Sequence, residues 1–266
     1  VRRNDRADRK TSNQTDLMQW TFLDSGPGTG QYNMDTDLAL AESVPQSGAV
    51  FRIYSWNPWC VSLGKNQKIQ EIDQDECQRL GFDIVRRPTG GRAVLHANEL
   101  TYSVLVPIHS AAQARGWYHA IHQFILNALE SSGIYGLEFV RNTADLRSHY
   151  KNAVSVSCFT ASARHEIQFN GKKVIGSAQR ILQNGILLQH GSILLDNGHE
   201  LLADISVLPD TDSKKQVKEM LLNSSATLTQ VAGKTISYQE CSGYFQEFIH
   251  QGNSPVLECE NRDILL

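Results

Sequence analysis

The 266-residue chain carries few of the marks of a specialised protein class. Its five cysteines, Cys60, Cys77, Cys158, Cys241 and Cys259, are odd in number and widely spread, with no C-x-x-C pair. That pattern argues against a disulfide framework or a zinc knuckle and favours a reducing compartment. No apolar run is long enough to cross a bilayer, and no charged-then-apolar leader resembles a signal peptide. A cytoplasmic protein without a membrane partner is the expectation. Charge of neither sign dominates: the net charge is -3 and the pI about 6.3, so no basic surface advertises nucleic acid. The nine histidines show no ligand spacing and no H-E-x-x-H occurs, so no metal is expected. The glycine pair Gly90-Gly91 is not followed by Gly-Lys-Ser/Thr, so it is not a phosphate loop, and it is not a dinucleotide fingerprint either.

What is present is ordinary for a globular enzyme, with 41% hydrophobic and 20% charged residues. Residues 1–18 are polar and aperiodic and read as a disordered arm. QWTFLDSG reads as a strand, and Met34, Leu38 and Ala41 then fall at helical spacing. AVFRIYSW and CVSLG read as two short strands, residues 70–80 as a helix, FDIVRRP as a strand, and VLHANELTYSVLVP as one long strand. Residues 112–132 form the clearest helical segment, stopped by Gly133. LEFVR, HEIQF, KVIGSA and ILLQHGSILLD follow as strands, and the pattern turns helical beyond Gly198. The expected class is α+β, a mixed sheet flanked by helices. A single catalytic domain is read over 19–252, with core motifs at 82–107 and 155–196, C-terminal helices at 212–252 and a tail at 253–266. Nothing suggests an extensive apolar seam, so a monomer is expected.

Three constellations could carry chemistry. In Arg86-Arg87-Pro88-Thr89-Gly90-Gly91-Arg92-Ala93-Val94-Leu95-His96 a strand runs into paired glycines, which let a ligand approach the backbone closely. The same local pattern also fits a plain hairpin turn. Cys158, in Ser157-Cys158-Phe159, is by composition either a core filler or a nucleophile. It precedes Asn170-Gly171, a two-residue hairpin signal. That turn sets Gln168 opposite Lys173 and Ile167 opposite Val174, so Lys172 and Lys173 point to opposite sides of the sheet. Geometry alone leaves open which of them faces a site. Gly176-Ser177-Ala178-Gln179-Arg180 and Leu188-Gln189-His190-Gly191-Ser192 place small and polar residues inside apolar strands. They suit either a bound ligand or a tight sheet crossing. Phe51, Tyr54, Trp56 and Trp59 read as core and strand-edge aromatics, and the scattered carboxylates suggest no acid/base pair.

RRPTGGRAVLHANELTYSV, GKKVIGSAQR and LLQHGSILLD, in this order, resemble the biotin/lipoate protein ligase and lipoyltransferase superfamily. The resemblance runs from about Trp20 to Asp196 and implies an α+β catalytic domain with an acyl tunnel. Arg92 after the glycine pair, Thr101-Tyr102-Ser103, and a cysteine ahead of the Lys-x-x-Gly-Ser hairpin are similar to the cysteine-dependent octanoyltransferase branch. The implied activity is transfer of octanoyl from acyl carrier protein to a lysine of a lipoyl domain, the first step of endogenous lipoate synthesis. The implied acceptors are the glycine cleavage H protein or a 2-oxoacid dehydrogenase E2. The resemblance assigns Cys158 as the acyl-thioester nucleophile and Lys173 as its catalytic partner. Arg87, Gly90, Gly91 and His96 would line the acyl and carrier-arm pocket, with Gly176, Ser177, Gln179, His190 and Gly191 completing its floor. No cofactor and no ATP are implied. The alternatives are an ATP-dependent lipoate ligase, an octanoyl amidotransferase between lipoyl-domain proteins, and a non-catalytic acyl- or carrier-binding module.

Overall fold

The computed structural model describes residues 18–140 and 166–257. Cys158 and the 1–17 part of the arm therefore lie outside the described residues. Strand β1 (Gln19–Gly28) runs parallel to β2 (Gly48–Trp56), and helix α1 (Gly30–Ser43) connects them. Strand β3 (Cys60–Leu63), helix α2 (Gln74–Leu80) and β4 (Asp83–Arg86) follow, then β5 (Val94–His96), β6 (Glu99–Pro107) and the long helix α3 (Ala111–Ser131). Next come β7 (Glu138–Val140), β8 (Glu166–Phe169), β9 (Lys172–Ile181) and β10 (Ile186–Leu194). Helices α4 (Thr211–Ser224), α5 (Leu228–Ala232) and α6 (Tyr238–His250) complete the described chain.

The strands form a mixed seven-stranded sheet, ordered β1-β2-β6-β10-β9-β8-β7, and a three-stranded sheet, ordered β4-β3-β5. Helices α3 and α6 cover one face of the large sheet around Phe51, Tyr102, Phe124 and Phe245. A second core around Leu63, Leu95, Leu202 and Leu221 packs the small sheet against the region of α4. The expected α+β class, with a mixed sheet flanked by helices, is what forms. Among the described residues no helix is long and apolar enough to cross a membrane.

Three local expectations need correction. VLHANELTYSVLVP is not one strand. It breaks at Ala97-Asn98, so β5 joins the small sheet and β6 the large one. The segment after Arg86 is not a hairpin turn either, because β4 and β5 do not pair with each other. Both flank β3, parallel and antiparallel respectively, and 87–93 crosses over it. The helix expected through Met34, Leu38 and Ala41 forms as α1, with Leu38 exposed. The buried positions are Gly30, Asn33, Met34, Asp37 and Ala41, because a buried arginine on β2, Arg52, needs the polar pair Asn33 and Asp37. Finally, Gln168 does pair with Lys173, but Ile167 pairs with Ile175 rather than Val174. The irregularity leaves Val174 as an extra residue, and such a bulge lets the adjacent Lys173 and Val174 both be buried. The turn itself is as expected, with Asn170 at φ 49 and Gly171 at φ 74.

Candidate active site

A cavity of about 340 Å³ opens where the two sheets part, between β2, β6, β10 and β9 on one side and β3, β5 and the 87–92 crossover on the other. Arg87, Gly90, Gly91, His96, Lys173, Gly176, Ser177, Gln179, His190 and Gly191 all line it. The three sequence motifs, which are far apart in the chain, thus meet around one cavity. Met34, Tyr54, Trp56, Ser62, Arg92, Val94, Thr101, Ala178 and Ser192 line it as well.

The crossover loop is held from below. Arg87 donates from Nη1 to the Ser62 carbonyl at 2.8 Å, and from Nη2 to the carbonyls of Gly90 at 2.8 Å and Arg92 at 2.7 Å. These bonds use a guanidinium fork to fix loop backbone. A Cβ at Gly64 would stand 1.9 Å from the Gly91 carbonyl oxygen, and Gly91 itself has φ 99. The loop can lie this low over β3 only because both positions are glycine. Arg180, from β9, adds a bond from Nη1 to the Pro88 carbonyl at 2.7 Å.

His96 is buried and held at both ring nitrogens. Nδ1 meets Glu99 Oε1 at 2.7 Å and Nε2 meets Ser62 Oγ at 2.7 Å. Trp56 stacks on the ring at 4.1 Å and donates its N–H to Thr101 Oγ1 at 2.7 Å. Glu99 Oε1 also accepts from Thr101 at 2.5 Å and from Ser192 at 3.0 Å. Trp56 is therefore a cavity wall as well as a core aromatic. The strand pattern held a signal for it: Arg52, Tyr54 and Trp56 alternate on one face, and an arginine inside an apolar strand demands a buried partner.

That partner is Asp37 of α1. Arg52 Nη1 lies 2.7 Å from its Oδ1 with both side chains fully buried. Tyr54 and Ser103 donate to the same carboxylate at 3.1 and 2.7 Å. Burial pushes the Asp37 carboxyl up, but His190, Arg52 and Ser103 outweigh it and hold it below its ordinary value. His190 sits above, with Nε2 2.5 Å from Thr89 Oγ1 and Nδ1 4.0 Å from Asp37 Oδ2.

Ser177 and Gln179 line the cavity, yet their side chains bond toward α3. Ser177 Oγ meets Tyr102 Oη at 2.7 Å and His122 Nε2 at 2.9 Å, and Gln179 Nε2 donates to the Ala114 carbonyl at 2.9 Å. Their bonds thus tie the cavity floor to the helix behind it.

Of the hairpin lysines, Lys172 is exposed, whereas Lys173 is 6% exposed and lines the cavity. The Lys173 carbonyl accepts from Ala226 N at 2.9 Å, so the α4–α5 junction holds its backbone. Cys60, Cys77 and Cys241 are buried free thiols; burial raises all three, Cys77 to about 11. Thiols so raised carry almost no thiolate at neutral pH. Among the described residues no group of three or more His, Cys, Asp or Glu could hold a metal ion.

Burial also gives the fold an acid limit. It pushes His190 and His199 below the usual 6.5. Above that value both states hold neutral imidazoles; below it the unfolded chain takes up protons that the folded one refuses. Stability is therefore expected to fall as the pH drops through 6.5, by at most about 1.4 kcal/mol per pH unit for each histidine. Melting temperatures between pH 8 and pH 5 measure this, and a rise on acidification would contradict it.

Residues 29–249 match the Lipoyl protein ligase A/B catalytic domain family. The chain belongs to this family. Among curated relatives it is 36% identical to the octanoyltransferase LipM of Anoxybacillus flavithermus, over 90% of this chain and 88% of that protein. It is 34% identical to the LipM of Bacillus subtilis, with the same coverage of both chains. Solved structures share the fold at lower identity. A bipartite lipoate protein ligase from Thermoplasma acidophilum superposes with a TM-score of 0.69 at 20% identity, covering 88% of this chain and 83% of that one. A lipoate-protein ligase A bound with ATP gives 0.65 at 22% identity, covering 88% and 86%. The family therefore agrees with the resemblance read from the motifs.

Proposed function

We propose that the protein is an octanoyltransferase that moves octanoyl from acyl carrier protein to a lysine of a lipoyl domain through an acyl-Cys158 thioester. The observation that carries this reading is Lys173, a buried cation on the wall of a cavity whose other end is Met34, Tyr54 and Trp56. Such a cavity suits an apolar tail joined to a polar reacting end. Relatives at 34–36% identity named as octanoyltransferases support the acyl group.

The chemistry balances without ATP. The Cys158 thiolate attacks the carrier-bound thioester carbonyl, the carrier thiolate leaves and takes a proton, and octanoyl stays on sulfur. The neutral acceptor amine then attacks this second thioester, the Cys158 thiolate leaves, and the nitrogen gives up a proton to solvent as it becomes the amide. Thioester exchange is nearly isoenergetic and amide formation is downhill. The protein has to supply a thiolate, a place for the oxyanion and a dry tail site. Burying some six methylenes contributes roughly 5 kcal/mol, which selects a medium chain over acetyl. The enzyme acts in the cytoplasm, as a monomer, with no cofactor.

The test mixes the protein with octanoyl-carrier protein in the absence of ATP and maps any octanoyl adduct by mass. An adduct on Cys158 that discharges to a lipoyl domain is the expected result. No adduct, with transfer appearing only when ATP is added, would make the protein a ligase. An adduct formed only from an octanoylated lipoyl domain would make it an amidotransferase.

Lys173 is proposed to favour the thiolate and hold the acyl carbonyl. Lowering a cysteine pKa from about 8.5 to about 7 raises its thiolate fraction roughly fifteen-fold at pH 7. Lys173→Ala should therefore slow Cys158 acylation by about that factor at pH 7, with the deficit shrinking towards pH 9. Lys172→Ala, at an exposed position, should leave the rate within about two-fold. Greater sensitivity at Lys172 would reverse the assignment.

A further inference from the structure

The cavity has one apolar wall that can change without disturbing the fold around it. Three large side chains line that end, Met34, Tyr54 and Trp56, packed in one buried cluster with Cys60 and Val85. Tyr54 is tethered at its tip, donating to Asp37 at 3.1 Å, while the Arg52 guanidinium lies 4.0 Å from its ring centroid. Trp56 is tethered to Thr101 at 2.7 Å and stacked on His96. Replacing either ring strands a buried polar partner. Met34 carries no such tether. Its side chain is unbranched and polarisable, with three rotatable bonds, and adapts to the space offered.

The helix beneath Met34, by contrast, is fixed. One turn earlier, a Cβ at Gly30 would lie 2.6 Å from both Cys60 Sγ and Val85 Cγ1, so the backbone rests directly on the small sheet. On either side of Met34, the Asn33 carbonyl accepts from Arg52 at 3.0 Å and Asp37 accepts from it at 2.7 Å. A pinned backbone carrying an untethered side chain lets this wall alone vary.

Topology places the wall far from the reacting end. Tyr54 and Trp56 stand on β2 and Lys173 on β9, with β6 and β10 between them. Three strand spacings separate these strands by about 14 Å, room for an extended octanoyl chain together with the side chains that close it at either end.

We propose that Met34 is the end wall that sets which acyl chain length the cavity accepts. This deepens the octanoyl-transfer reading and rests on it. A carbonyl held near Lys173 sends the tail towards α1, and the methyl end stops on the Met34 side chain. Each methylene that fits is worth about four-fold in kcat/KM, corresponding to about 0.8 kcal/mol, and each one that does not is lost.

The experiment measures transfer to a lipoyl domain from hexanoyl-, octanoyl-, decanoyl- and dodecanoyl-carrier protein by the wild type and the variants Met34→Ala, Met34→Leu and Met34→Phe. The wild type should prefer octanoyl. In Met34→Ala the decanoyl-to-octanoyl ratio should rise about sixteen-fold, two methylenes at four-fold each. Met34→Phe should shift the preference to hexanoyl, and Met34→Leu, which nearly conserves volume, should keep the wild-type order. Ratios that stay constant in Met34→Ala, even as overall rates fall, would overturn the proposal, and this comparison holds should Met34→Phe fail to fold. A wild type that transfers no acyl group at all would instead overturn the function on which the proposal rests.

Discussion

Cys158→Ala should lower octanoyl transfer by three or more orders of magnitude and leave no acyl adduct on the protein. Removing the nucleophile of a covalent pathway takes away both half-reactions at once, and what survives is binding and oxyanion stabilisation acting on water or the acceptor. The comparison that gives this result meaning lies in the three other thiols among the described residues. Cys60, Cys77 and Cys241 are buried, with their ionisation pushed up chiefly by that burial. For Cys77, raised to about 11, the thiolate fraction at pH 7 is on the order of one in ten thousand. Alanine at any of these three should change specific activity little, whatever it does to stability. Single-turnover rates, corrected for the folded fraction, are the measurement. A Cys158→Ala protein that still transfers octanoyl at a comparable rate would place the nucleophile elsewhere or make the reaction direct.

Arg52→Met should destabilise the protein by about 3–5 kcal/mol. Arg52 and Asp37 are both fully buried, and the guanidinium also donates to Ser25 Oγ at 2.9 Å and to Asn33 Oδ1 at 3.0 Å. Removing the cation leaves the Asp37 carboxylate in the interior with only Tyr54, Ser103 and His190 nearby. An uncompensated buried charge costs far more than the pair itself contributes, because the pair's attraction largely offsets its own desolvation. The double change Arg52→Met with Asp37→Leu should therefore recover a good part of the loss. Urea denaturation of the two variants separates the cases. Equal losses in the single and double variants would show that the damage comes from packing, not from the stranded charge.

The sequence made legible whatever is governed by local chemistry. Asn170-Gly171 announced its turn because both residues tolerate positive φ, and 112–132 announced a helix by apolar spacing over five turns. The motif residues were found because glycine, serine and histidine are out of place inside apolar strands. Features set by distant partners were harder to read. Asn33 and Asp37 break the apolar periodicity of α1, and their reason, Arg52, lies on another element. The break at Ala97-Asn98 is hidden because both strands are apolar and only their partner strands differ. The crossover after Arg86 looks locally like a hairpin, since the strand that separates β4 from β5 occurs earlier in the chain. Met34 was visible as one of three apolar residues at helical spacing, but nothing in that spacing shows that it faces a cavity.

The contact between Gly64 and the Gly91 carbonyl has a consequence for how the gene can drift. Gly64 is not itself among the residues that line the cavity; it lies behind one of them, Gly91. Yet any codon other than glycine there places a carbon 1.9 Å from the loop that forms the cavity roof. Functional descendants of this chain should show as little variety at 64 as at the residues that face the cavity, for want of room rather than for any chemistry of its own.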